Sequence, residues 1–136
     1  MDTFKMIFLV STLLLTFNSY SQNDNEKEIE IGTIIFDFEP EFPGGSDSLK
    51  NFLLSNTKYP DTCISLNSKG KVLMQFCIEP DGSITNIKAY KNNTGCDQFS
   101  MECIRVISKM PKWLPPEEDG LKKRSIVRLP FNFKND

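Results

Sequence analysis

Val72-Leu-Met-Gln-Phe-Cys-Ile-Glu79, then Pro80-Asp-Gly-Ser83, then Ile84-Thr-Asn-Ile-Lys-Ala-Tyr90 is the stretch that decides the fold. Val72, Met74, Phe76 and Ile78 alternate with Leu73, Gln75, Cys77 and Glu79, the period of two that sends successive side chains to opposite faces of a strand. Asp81-Gly82 suits the positive φ of a hairpin turn, so 84–90 reads as the antiparallel return. Downstream the period changes. Phe99, Cys103, Val106, Ile107 and Met110 fall on one side of a helix over 98–110, stopped by Pro111. Trp113 lies just beyond, before a polar turn, Pro115-Pro-Glu-Glu-Asp-Gly120. The last run is again a strand, with Val127, Leu129, Phe131 and Phe133 on one face and Ile126, Arg128, Pro130 and Asn132 on the other.

Upstream, Leu49, Phe52 and Leu53 recur at i, i+3 and i+4, which predicts a helix capped by Ser46 or Asp47. Tyr59-Pro60 breaks it, and 61–66 forms a further short helical turn closed by Lys69-Gly70. Thr33-Ile-Ile-Phe-Asp-Phe38 has the β-branched and aromatic content of a short strand, ended by Glu39-Pro-Glu-Phe-Pro-Gly-Gly45. The order predicts an α+β fold: two or three short helices packed on one face of a small antiparallel sheet. Val72, Met74, Phe76, Ile78, Val127, Leu129, Phe131 and Phe133 would line one core with Trp113 and the helix stripe.

The first residues read as an address. One lysine at Lys5, the apolar run from Met6 to Phe17 and small residues at Ser19 and Ser21 describe a signal peptide over 1–21, cut after Ser21. The run is well short of the roughly 20 apolar residues a spanning helix needs. Cleavage leaves no stable membrane span and places the protein in the periplasm or outside the cell. Residues 22–33, opening with QNDNEKEIEI, read as a flexible polar leader before a domain over 34–136.

The 136 residues carry 16 basic and 18 acidic side chains, a net charge of −2, which gives no long-range field for nucleic acid. No histidine is present, which removes Ser-His-Asp and Cys-His catalysis and every His-containing zinc site. With no Gly-rich phosphate loop and no calcium spacing in Glu117-Glu118-Asp119, the chain is read as a non-enzyme without metal or cofactor. Cys63, Cys77, Cys96 and Cys103 contain no C-x-x-C pair. In an exported chain some or all read as structural bridges or as buried small residues, with three complete pairings open. Cys63 with Cys103, and Cys77 with Cys96, are the pairs their elements suggest.

Pro40-Glu-Phe-Pro-Gly-Gly45, Lys58-Tyr-Pro60, Gly70-Lys-Val-Leu-Met-Gln-Phe76 and Pro80-Asp-Gly-Ser83 are followed by Glu102-Cys-Ile-Arg-Val-Ile107, Met110-Pro-Lys-Trp113 and Arg128-Leu-Pro-Phe-Asn-Phe133. Taken in this order over 34–134, they resemble the TonB C-terminal domain family. The resemblance implies helices on one side of a three-stranded sheet whose last strand is an edge. It also implies a partner: a TonB-dependent outer-membrane receptor, one of whose peptides adds to that edge. Full members of the family carry a membrane helix and a long spacer, neither of which 1–33 resembles, so the resemblance extends to the gripping module without its drive.

An exposed strand edge offers unpaired N–H and C=O groups that an extended peptide satisfies, with side-chain pockets setting specificity. Arg124, Ser125, Ile126, Val127, Arg128 and Leu129 are the candidate edge, and Pro130 fits an edge better than a central strand. Pro130 and the charges of Arg124 and Arg128 also suit the opposite purpose, blocking such pairing. Lys122, Lys123, Arg124 and Arg128 form the basic cluster, which would attract an acidic segment or simply be solvated. Lys58 and Tyr59 match the family position beside the bound peptide, although Tyr59 also suits packing on the first helix. Asp81 and Gly82 read as turn residues only. The alternative to peptide capture is an oligomerising domain, a homodimer in which the same edge pairs with a second copy.

Overall fold

In the computed structural model, residues 29–31, 35–36 and 39–134 are described. The elements run β1 (Ile29–Ile31), β2 (Ile35–Phe36), α1 (Ser46–Asn56), α2 (Asp61–Ser65), β3 (Gly70–Ile78), β4 (Ile84–Asn92), α3 (Gln98–Ser108), β5 (Glu117–Glu118), β6 (Leu121–Lys122) and β7 (Ser125–Phe133). The alternating stretch is β3, and the period of two has its expected consequence: Val72, Met74, Phe76 and Ile78 are fully buried. β7 supplies the matching row, Val127, Leu129, Phe131 and Phe133. Leu49 and Leu53 of α1, Cys63 of α2, and Phe99, Cys103, Val106 and Ile107 of α3 close the core from one side. The result is the expected α+β arrangement: three helices on one face of an antiparallel sheet of three long strands.

The sheet order is β1-β7-β3-β4, with β2 also on β7. β3 and β7 pair without a shift from Gly70↔Phe133 to Ile78↔Ser125. In the β3–β4 hairpin the Glu79 amide donates to the Ser83 carbonyl (2.9 Å) and the Gly82 amide to the Glu79 carbonyl (2.8 Å). Asp81 Oδ1 accepts from the Ser83 hydroxyl (2.6 Å) and amide (2.9 Å), which holds the Asp81 carboxyl below its ordinary range. The turn has a second duty that its sequence did not announce. The Trp113 amide donates to the Gly82 carbonyl at 2.9 Å. Gly82 has φ +88°, and a Cβ there would lie 2.2 Å from the Trp113 carbonyl oxygen. Trp113 is core, as expected, edge-on to Phe42 at 5.5 Å and Phe76 at 5.7 Å.

Several local expectations are corrected. α1 is capped by Gly45, with no side-chain cap from Ser46 or Asp47. α3 ends at Ser108, and its tail tightens as the Lys109 and Met110 amides reach back three residues to Val106 and Ile107 (3.1 Å each). The polar turn at 115–120 contains a small hairpin, Glu117↔Lys122 and Glu118↔Leu121. Asp119 and Gly120 both hold the positive φ that such a two-residue connection requires. The unstructured reading of 22–33 does not extend to Ile29–Ile31, which form a strand, and the strand expected over 33–38 is found at Ile35–Phe36. The expected signal segment, 1–21, lies outside the described residues. Among the described residues no helix is long and apolar enough to cross a membrane.

The cysteine pairing also differs. Cys63 is bonded to Cys96, Cα–Cα 5.8 Å, while Cys77 and Cys103 are free and buried. Cys77 belongs to the β3 row facing away from the helices, so the sheet separates it from Cys96. Cys103 is sealed in the core by α3, and burial pushes its thiol pKa up. Cys63 and Cys96 both lie in the helix layer, one on α2 and the other just before α3.

Candidate functional site

The neighbours of β7 decide what the domain can bind. Pro130 lies opposite Leu73 within the unshifted β3–β7 register. A proline fits an unbroken ladder only where its nitrogen faces away from the paired strand. Backbone polar groups alternate sides with a period of two. Ile126, Arg128 and Asn132 therefore aim their N–H and C=O groups at the same outer flank as Pro130.

That flank is not the open edge expected of the last strand. β1 pairs antiparallel with it as Ile29↔Phe133, Glu30↔Asn132 and Ile31↔Phe131. β2 pairs as Ile35↔Arg128 and Phe36↔Val127. The physical reason is that outward backbone groups need partners, and the β-branched residues Ile29, Ile31 and Ile35 favour an extended chain. Among the described residues the registered pairs reach Phe131 from one side and Arg128 from the other. The opposite edge of the sheet, β4, has only β3 as a neighbour among the described strands. It carries exposed Lys88 and Lys91, positive φ at Asn86, and two register shifts against β3. Charges and bulges of this kind are what keep an edge from pairing.

The candidate side chains divide between two faces. Ser125, Val127 and Leu129 are buried, so only their backbones are available to a neighbour. Ile126, 37% exposed, and half-buried Arg128 lie on the helix-free face. Arg128 Nε donates to Gln75 Oε1 at 3.0 Å, and its guanidinium sits 4.2 Å from the Tyr90 ring centroid. One side chain thus ties β7 to β3 and β4. Arg124 Nε donates to Glu79 Oε1 at 2.5 Å, beside the hairpin. Lys122 belongs to β6, and the Lys123 amide donates to the Pro116 carbonyl at 2.8 Å. Two of the four basic residues, Arg124 and Arg128, are thus held by Glu79 and Gln75.

Lys58 is exposed. The Tyr59 ring meets Phe99 at 5.1 Å and Phe133 at 5.8 Å. Its hydroxyl donates to the Ser68 carbonyl, and burial raises its pKa. Tyr59 therefore marks the Phe133 end of β7, while Arg124 precedes the other end, roughly 30 Å away at about 3.3 Å per residue. Among the described residues no group of three or more His, Cys, Asp or Glu is placed to hold a metal ion. Sequence reasoning missed β1 as a participant. Ile29-Glu-Ile31 alternates with period two, a signal hidden by the acidic residues around it.

Helices on one face, and a last strand whose outer flank receives extended chain, define a small α+β domain of the protein-interaction class. The family model described as the Gram-negative bacterial TonB protein C-terminal matches residues 55–135, and the chain belongs to that family. It is also similar to the solution NMR structure of the Helicobacter pylori TonB C-terminal domain, at 25% identity. That similarity covers 69% of this chain and 89% of the other, with a TM-score of 0.47. No curated protein matches the chain.

Proposed function

We propose that this domain captures an extended peptide of a protein partner by strand addition to the outer flank of β7, without catalysis, and that the partner is a TonB-dependent outer-membrane receptor. The observation that carries the reading is that this flank receives two short segments as antiparallel neighbours, Ile29–Ile31 and Ile35–Phe36. The protected β4 edge directs the choice to β7. Backbone groups of Ile126 and Arg128 supply the ladder bonds, and residues 124–129 form the contact stretch. The side chains of Ile126 and Arg128 set specificity on the helix-free face. Lys58 and Tyr59 serve as accessory contacts at the far end of the strand. Membership of the TonB C-terminal family supports the receptor as partner and links the domain to TonB-dependent transport. A periplasmic or secreted setting is supported by the apolar run from Met6 to Phe17 and by the Cys63–Cys96 disulfide, since such bonds persist in oxidising compartments.

The test is titration of the chain from residue 22 with a synthetic peptide from the periplasmic N-terminus of such a receptor, followed by calorimetry and light scattering. Ile126→Pro with Arg128→Pro removes two outward donors while keeping the parity that Pro130 already satisfies against β3. Binding should be lost in that variant and retained in Arg128→Ala, which keeps the backbone N–H. Equal peptide binding by parent and double-proline chains would refute strand addition here. A dimer that ignores the peptide would favour oligomerisation through the same flank.

A further inference from the structure

We infer that β1 and β2 act as a resident strand that competes with partner peptide for the outer flank of β7, so that the domain is closed until this segment is displaced. The inference rests on the strand-addition reading above and adds what regulates that site. Three observations carry it. First, the outward groups of Arg128 and Asn132 face Ile35 and Glu30, respectively, in the register. An incoming peptide would need the same groups, so the two occupants exclude each other.

Second, among the described residues the contact is short. β1 contributes three registered pairs and β2 two. On its other side β7 is held by a continuous ladder from Ser125 to Phe133. Local opening follows the weakest set of backbone contacts, so the outer neighbour leaves first while the inner ladder stays formed. Third, β7 is also held from within, because Val127, Leu129, Phe131 and Phe133 share a buried cluster with residues of α1, α2, α3 and β3. A change of outer neighbour therefore leaves the β3–β7 core in place. Because the competitor is tethered, its effective concentration is about millimolar. The apparent affinity for added peptide is lowered by the fraction of molecules in which the flank is open.

The test uses the chain from residue 22 to 136, which contains every described residue, and the variant Glu30→Pro with Ile35→Pro. Those two positions face Asn132 and Arg128. The probe is a synthetic peptide with the sequence of residues 27–38. Two readouts are taken: amide hydrogen exchange along β7, and probe affinity. In the variant, exchange at Arg128 and Asn132 should accelerate at least tenfold, with Val127 and Leu129 unchanged, and the probe should bind at least tenfold more tightly than to the parent. Unchanged exchange at Arg128 and Asn132, equal affinity, or no binding to either chain would each overturn the inference. So would parental protection that rises with protein concentration, since the strand would then come from a second copy. Glu30→Gly with Ile35→Gly is the milder variant, judged by the same criteria, should the proline chain not fold. The receptor peptide is added in parallel: if it binds neither chain while the probe binds the variant, the receptor reading falls and the resident strand stands.

Discussion

Replacing both Cys63 and Cys96 with alanine removes the bond between α2 and the segment leading into α3. The two residues are 33 apart in sequence. Cross-linking a loop of that length removes about 12 cal/mol/K of chain entropy from the unfolded state, or roughly 3.7 kcal/mol at 25 °C. Both cysteines are buried, at 0% and 3% exposure, so alanine is the replacement that buries no new polar group. Urea unfolding followed through the fluorescence of Trp113, the single tryptophan, reads the loss directly. For a domain of this size the midpoint should fall by roughly 2 M. Peptide mapping of the unreduced parent should find Cys77 and Cys103 alkylated after unfolding, and Cys63 joined to Cys96. A loss below about 1 kcal/mol would refute the loop-closure argument, since it falls short of the roughly 2–4 kcal/mol typical of such bonds. A map joining Cys77 to Cys96 would refute the pairing itself.

Two ion pairs of equal length should differ in weight. Arg105 Nε meets Glu102 Oε1 at 2.5 Å, Glu102 is only 8% exposed, and Arg105 Nη2 also donates to the Asn56 carbonyl at the end of α1 (2.6 Å). Arg105→Ala leaves that carboxylate buried and unpaired and should cost about 1–3 kcal/mol in a thermal melt. Arg124→Ala breaks a pair with Glu79 whose members are 48% and 26% exposed and should cost about 0–1 kcal/mol. Tyr59→Phe keeps the ring contacts with Phe99 and Phe133 but loses the bond to the Ser68 carbonyl, about 1 kcal/mol at neutral pH. Burial raises the Tyr59 pKa above its ordinary 10.0, so the folded chain keeps the proton longer than the unfolded chain. Stability is therefore full below about pH 10 and falls as pH climbs toward the folded value. The phenylalanine variant should lack that part of the alkaline loss, measured as urea midpoints at pH 8 and pH 10.5.

What the sequence made legible is what local chemistry determines. The alternation at 72–79, the Asp81-Gly82 turn and the stripe from Phe99 to Ile107 each depend on neighbours within a few residues, and each is present in the structure. Tyr59 is different: its ring partners Phe99 and Phe133 come from distant segments, and nothing in Lys58-Tyr59-Pro60 points to them. The disulfide fails for the same reason, because the sheet decides which cysteines share a layer. β5 and β6 are two residues each, too short to carry a period. The outer neighbour of β7 was hardest to read. Pro130 signals that one side of the strand must do without a donor, yet it is silent on whether solvent, a partner or the chain itself lies there.

The position of Arg128 explains why a change of neighbour on that flank need not disturb the rest of the sheet. Its backbone faces outward by the parity that Pro130 sets, while its side chain reaches inward across the open face to Gln75 on β3 and Tyr90 on β4. A hydrogen bond to a charged group contributes about 1.5–3 kcal/mol, and a cation over an exposed ring about 0.5–1 kcal/mol. These contacts brace β7 from one face, and the fully buried Val127 and Leu129 anchor it from the other. A strand held on both faces and along its inner ladder keeps its register when the outer ladder exchanges. The pairs of β7 with β3 do not depend on which chain lies on the outer flank. Under the proposed strand capture an incoming peptide needs only a similar extended form, since Ile29–Ile31 and Ile35–Phe36 already pair with that flank.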